Sequence, residues 1–121
     1  MTELGRIYEN GLEGVQKDEA QAAKWYREAA NAQDSRGMAY LGGMYENGRG
    51  DLPKDDAQAV KWYWQAAQAR DVEGMTDVGR MYQEGRGGLP KDVEKAKEWY
   101  HKAAKLGSAR AQESLKLLGY P

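Results

Sequence analysis

The 121-residue sequence predicts an all-α fold, a solenoid of stacked antiparallel helix pairs, on three observations. The chain repeats itself every 37 residues in three copies without insertions. Within each copy the apolar residues recur at helical spacing. Val, Ile and Thr together number only eight, while Ala and the straight-chain residues dominate, so strands are disfavoured throughout.

The copies span 1–37, 38–74 and 75–111 of one domain covering 1–121, which suits a length that fits a single domain. Met1, Met38 and Met75 open them, followed in the same register by Leu4, Leu41 and Val78, then Gly5, Gly42 and Gly79, then Tyr8, Tyr45 and Tyr82. The second half keeps the register through Asp18, Asp55 and Asp92, then Trp25, Trp62 and Trp99, then Tyr26, Tyr63 and Tyr100.

The first helix of each copy follows from placing residues at 100° per position, which gathers Met1, Leu4, Gly5 and Tyr8 in one arc with Thr2, Glu3, Arg6 and Asn10 opposite. Gly11, Gly48 and Gly85 end these helices as left-handed C-caps and open the loops 11–17, 48–54 and 85–91. Pro53 and Pro90 stiffen the approach to the next helix. The second helix runs over about 18–32, with Ala22, Trp25, Tyr26 and Ala29 on one side and Lys24, Arg27 and Asn31 on the other. Asp18 and Gln21 resemble a capping box, as do Asp55 and Gln58, whereas Lys95 removes the box at Asp92. Glycine at 5, 42 and 79 costs about 1 kcal/mol each in helix propensity relative to Ala. Close approach of the paired helix is the expected compensation.

Residues 108–121 read as a closing helix, because solenoids need capping elements and 108–118 align with the start of a fourth first helix. The first copy has no residue in the place from which Asp34 or Ser35 caps the next one, so a frayed first helix or a piece of a longer array is expected.

Lys plus Arg is 18 and Asp plus Glu is 19, and the two signs are interleaved, so the surplus of positive charge that a nucleic-acid partner requires is lacking. No apolar run suits membrane insertion, and the N-terminus carries no signal-peptide pattern. The compartment therefore reads as cytoplasmic by default, or as periplasmic or secreted if an N-terminal segment has been removed. Without Cys there is no disulfide framework, thiolate nucleophile or Cys metal site.

Leu4-Gly5-x-x-Tyr8, Glu9-Asn10-Gly11, Lys17-Asp18 and Ala22-x-x-Trp25-Tyr26-x-x-Ala29-Ala30, with their two further copies, closely resemble the Sel-1-like repeat, a relative of the tetratricopeptide repeat. The resemblance covers nearly the entire chain. It implies a right-handed superhelix whose first helices line a concave face used for protein partners. Several members carry a disulfide in each repeat, and the absence of Cys here removes any argument for oxidising conditions.

Residues that carry chemistry are sparse, and no catalytic residue, metal site or cofactor is expected. His101 is the only histidine; a general base or metal ligand would need convergent partners, and it reads as a solvated surface group. Asp55-Asp56 reads as a helix N-terminus favoured by the dipole. Gly85-Arg86-Gly87-Gly88 follows a helix and lacks the Gly-Lys-Ser/Thr ending of a phosphate loop, so nucleotide binding is rejected. Arg49-Gly50-Asp51 matches an adhesion tripeptide and is expected in an exposed turn, where the turn itself explains it.

The function expected is a non-catalytic module that binds a protein or peptide through its concave face. Positions that differ among copies on the exposed side of the first helices are free for recognition: Glu3, Tyr40 and Asp77; Arg6, Gly43 and Arg80; and, one turn further, Asn10, Asn47 and Glu84. Tyr40 reads either as an interface anchor or as a tyrosine at the seam between repeats. Tyr40 and Arg80 are expected to supply affinity, so alanine at both should weaken binding without loss of helix. Val60 and Trp64 are expected as an exposed apolar pair on the convex side, either a second contact or self-association surface or ordinary surface apolar residues. Self-association through the repeat ends is a further expectation. An inhibitor that covers a bacterial toxin or enzyme is the alternative function, and a cell-wall-related hydrolase is a third reading for which no His, Cys or Ser cluster is present.

Overall fold

A computed structural model describes residues 1–119. Among them are seven helices and no strand: α1 (Thr2–Asn10), α2 (Glu19–Asn31), α3 (Ser35–Asn47), α4 (Asp56–Gln68), α5 (Val72–Glu84), α6 (Val93–Lys105) and α7 (Ala109–Leu117). Each helix packs on the next, so α1–α2, α3–α4 and α5–α6 form three stacked pairs with α7 against α6. The result is the right-handed α-solenoid expected, with α7 in the closing position. The end of the expected cap, Tyr120 and Pro121, lies outside the described residues.

The second helices begin where an aspartate accepts a backbone hydrogen bond: Asp18 from Gln21, Asp55 from Gln58 and Asp92 from Lys95, at 3.0–3.1 Å. The reciprocal half of the expected capping boxes is replaced. The N–H of each aspartate instead donates to the carbonyl of a tyrosine in the preceding helix, Tyr8, Tyr45 or Tyr82, at 2.8–2.9 Å. A glutamine at the third position is therefore dispensable, and Lys95 sits in a cap of the same form. The same carbonyl bond ties each loop back to the first helix of its own pair.

Packing within a pair follows from glycine facing tyrosine. A Cβ added at Gly5, Gly42 or Gly79 would lie 2.5–2.8 Å from the ring of Tyr26, Tyr63 or Tyr100, and these three rings are almost fully buried. The helix-propensity cost of the glycines is offset by burying one large ring per pair, about 2 kcal/mol each. A second set of recesses joins successive pairs, since a Cβ at Gly37 or Gly74 would meet the methyl of Ala29 or Ala66 at 2.5 or 2.7 Å. Trp25, Trp62 and Trp99 are only half-buried, and the tyrosine beside each of them reaches deeper. At the start of the first pair, Met1, the N-cap of α1, and Leu4 are 50% and 40% exposed, whereas Met38, Leu41, Met75 and Val78 are buried, because no helix pair covers that side of α1 among the described residues.

The expected exposure of Val60 and Trp64 is corrected. Both pack against the apolar cluster of the second and third pairs. The Trp64 ring meets Trp99 edge-on at 5.4 Å and Tyr82 at 6.3 Å. Helical projection of α4 alone places these residues away from Tyr63, but the third repeat folds its loop and α6 over that side. Trp64→Ala should lower unfolding free energy by about 3 kcal/mol, the cost of truncating a packed aromatic, as read from urea denaturation.

Candidate functional site

The inner wall is built by the first helix of each pair together with α7. It encloses a hollow of about 700 Å³ bounded by residues of α1, α3, α5 and α7, with Tyr63 of α4 at its floor. The hollow brings together Tyr40, Gly43, Asn47, Asp77 and Arg80 of the expected partner-binding set. Glu3, Arg6 and Glu84 are not among its lining residues: Glu3 and Arg6 pair with each other at 3.5 Å on α1, and Glu84 lies exposed beside Arg86 at 2.9 Å.

Gly43 is the reason the hollow deepens at the middle repeat. Arg6 and Arg80 hold the corresponding positions, and at Gly43 the only atom within 4 Å of an added Cβ is the Tyr63 hydroxyl oxygen, at 3.6 Å. Asn47 donates its side-chain amide to the Gly43 carbonyl at 2.9 Å. Tyr40 stacks one ring face on Tyr26 at 4.9 Å and 16° and remains half-buried at the edge of the hollow.

Opposite this ledge stands an ionic wall. Glu46 accepts from Arg80 through two bonds of 2.5 and 2.6 Å, from the Tyr63 hydroxyl at 2.7 Å, and pairs with Arg86 at 2.9 Å. Burial alone raises a carboxyl's pKa, but the bonds from Arg80 and Tyr63 outweigh it and hold Glu46 at about 2. Asp77 is buried between Arg110 at 2.7 Å and Arg80 at 3.2 Å, and burial pushes its pKa up against the pull of both guanidiniums. Arg80 is thus committed to Glu46 and Asp77. The expectation that Arg80→Ala would spare the fold is corrected, because truncation would leave two buried carboxylates short of a partner.

The same clamp recurs one repeat earlier. Arg49 pairs with Glu9 at 3.0 Å and with Glu19, and Glu9 accepts from Tyr26 at 2.5 Å. Each loop arginine, Arg49 or Arg86, therefore holds the end of the first helix and the start of the second helix of the preceding pair. The Arg49-Gly50-Asp51 turn is correspondingly less open than expected, for Arg49 is engaged and Gly50 presses on α2, where an added Cβ would meet the Glu19 carbonyl at 2.5 Å. Sequence reasoning missed this clamp, although Glu9 with Glu46 and Arg49 with Arg86 recur at the repeat spacing.

A 37-residue period, glycine recesses under tyrosines and a glycine-opened loop constitute a family signature once seen in three dimensions. The family model for the Sel1 repeat matches residues 1–34, 35–71 and 72–108. The chain belongs to the Sel1 repeat family. Its solenoid is similar to the crystal structure of a Sel1 repeat protein from Oxalobacter formigenes, with 34% identity and a TM-score of 0.88 over 96% of this chain and 46% of that one. It is also similar to c5321, a protective antigen of uropathogenic Escherichia coli strains displaying an SLR fold, with 39% identity and a TM-score of 0.85 over 94% of this chain and 24% of that one. Helicobacter pylori cysteine rich protein B matches at 27% identity and a TM-score of 0.75, over 94% of this chain and 86% of that one. The chain thus spans under half the length of the first two structures. No curated protein matches it.

The Sel1 repeats are joined by a further polar contact that differs in the middle of the array. Thr2 donates to Asp34, the N-cap of α3, at 2.5 Å, and Thr76 meets Ser108, the N-cap of α7, at 3.0 Å. The equivalent of these threonines before α5 is Ala39, so its cap Asp71 keeps the bond from the Gly74 N–H at 2.9 Å without a hydroxyl donor. Burial raises the Asp71 pKa, whereas the Thr2 hydroxyl lowers that of Asp34. Ala39→Thr should bring the Asp71 pKa down and add about 1 kcal/mol of stability near neutral pH, measured by NMR titration of the Asp71 carboxyl and by denaturation.

The remaining chemical candidates occupy ordinary places in a Sel1 array. Asp55 caps α4, and Asp56 binds Arg86 at 2.9 Å. His101 is exposed on α6. Among the described residues no group of three or more His, Cys, Asp or Glu is placed to hold a metal ion, and no helix is long and apolar enough to cross a membrane.

Proposed function

We propose that this chain binds a protein or peptide partner in the hollow of its inner wall, without catalysing a reaction. Sel1 repeat proteins are typically protein-interaction scaffolds and generally not enzymes. The observation that carries the reading is the opening over Gly43, where an unobstructed recess of about 700 Å³ is walled by an aromatic ledge on one side and fixed charges on the other. Preformed concavity with rigid walls limits the ordering cost of association. Tyr40, half-exposed and already held by Tyr26, supplies contact area at small entropic cost.

Gly43→Arg tests this reading without disturbing the core, because the added Cβ makes only an ordinary contact with the Tyr63 hydroxyl at 3.6 Å and arginine stands at the equivalent positions 6 and 80. A partner retained by the intact chain from its native proteome should be lost by G43R and kept by Lys61→Glu, a charge reversal on exposed Lys61 of α4. Equal retention by G43R and the intact chain would overturn the proposal.

A further inference from the structure

Resting on the reading of the hollow as the binding site, we infer that its occupant is an acidic, extended peptide segment whose side-chain carboxylate is taken by Arg36 and Arg70. Most charges around the hollow are already used. Glu9, Glu46, Glu73 and Asp77 each lie within hydrogen-bonding reach of a guanidinium of Arg49, Arg80 or Arg110, which are consumed in return. An incoming ligand would have to break these pairs to use either partner.

Two lining cations are left. Arg36, exposed at the start of α3, is held by the Tyr40 hydroxyl, and its nearest acid is Glu3 at 3.9 Å, itself largely exposed. Arg70 is exposed in the turn before α5, in a left-handed conformation with φ 65, and makes no ion pair or side-chain hydrogen bond among the described residues. The acids beside them are spent or loosely placed: Asp71 gives an oxygen to the α5 cap, Asp34 caps α3 and accepts from Thr2, and exposed Glu3 is shared with Arg6. Neither guanidinium is locked in a short ion pair, so both can turn to an incoming carboxylate without breaking the buried pairs of the wall. A planar fork of donors matches a carboxylate, and charge-assisted bonds are the strong ones. The neighbouring Tyr40 ring and the bare Gly43 backbone suit an extended main chain lying across the wall. Net charge of −1 for the whole chain disfavours a long polyanion, so a segment with one or a few acids fits better than a nucleic acid.

NMR titration of the ¹⁵N-labelled full chain tests this with three probes of equal length: a Glu-containing, Ala/Tyr-spaced peptide, its Gln analogue, and oligothymidylate. The Glu peptide should shift the amides of Arg36, Gly43 and Asp71 saturably, and bind roughly tenfold more tightly than the Gln analogue. Arg36→Gln or Arg70→Gln should each erase about that advantage while leaving the Gln analogue unaffected, and Lys61→Gln should change nothing. Equal binding of Glu and Gln peptides, both blocked by G43R, would overturn the acidic occupant and leave the inner-wall reading standing. Shifts confined to the outer wall would overturn both. Absence of saturable shifts with the Glu peptide, or tighter binding of oligothymidylate, would overturn the acidic-peptide inference.

Discussion

Glu46→Ala should destabilise the fold by about 3–5 kcal/mol, because it leaves Arg80 partly buried and removes the acceptor of a buried tyrosine hydroxyl. Glu9→Ala, at the same place in the first repeat, should cost less, since Arg49 keeps Glu19 and is more solvent-accessible. The pH dependence carries the same signature. A carboxyl held at about 2 in the folded chain and at 4.5 ordinarily contributes stability that is fully present above pH 4.5 and is lost as pH falls toward 2. Urea denaturation from pH 6 to pH 2 should therefore show the intact chain losing about 3 kcal/mol more than Glu46→Gln over that window. An identical pH profile for the two would mean that Glu46 is not held as described.

Gly87→Ala should cost about 3 kcal/mol or more, and Gly88→Ala only about 1–2 kcal/mol, although the two glycines are neighbours with similar backbone angles, φ 67 and 88. Both substitutions place a side chain in left-handed backbone. Only at Gly87 would the Cβ also strike Val60 at 2.3 Å and the Asp56 carbonyl at 2.5 Å, while at Gly88 nothing lies within 4 Å. The loop of the third pair can descend onto α4 because this residue has no side chain. In the first repeat the equivalent residue is Glu13, which adopts φ 55, and no preceding second helix presses on it among the described residues. Thermal denaturation of the two alanine variants side by side separates the packing penalty from the backbone penalty.

The fold was legible in the sequence wherever a residue type answers to local geometry. The small residues Gly5, Gly42 and Gly79 on the apolar face of each first helix are of this kind, as are the aspartate N-caps and the glycine C-caps, because spacing along one helix suffices to place them, whereas the tyrosine rings that fill those recesses appear only in three dimensions. What escaped depends on a second repeat folding over the first. Trp64 looks exposed on an isolated α4 and is covered by Tyr82 and Trp99. Arg80 looks like a free surface group on α5 and is spent on Glu46, 34 residues earlier. The hollow was half legible: Tyr40 and Gly43 stand out as departures from the repeat, but the separation of used from unused arginines requires the partners of each. Arg36 and Arg70 drew no notice because nothing in their own helices or turns distinguishes them.

The most direct measurement of the central claim is hydrogen–deuterium exchange of the chain with and without its captured partner. Added protection should fall on the inner-wall helices, strongest in α3 from Arg36 to Asn47 and at the 70–73 turn, with α2, α4 and α6 unchanged. Protection concentrated on α2, α4 or α6, with α3 exchanging as in the free chain, would contradict the account.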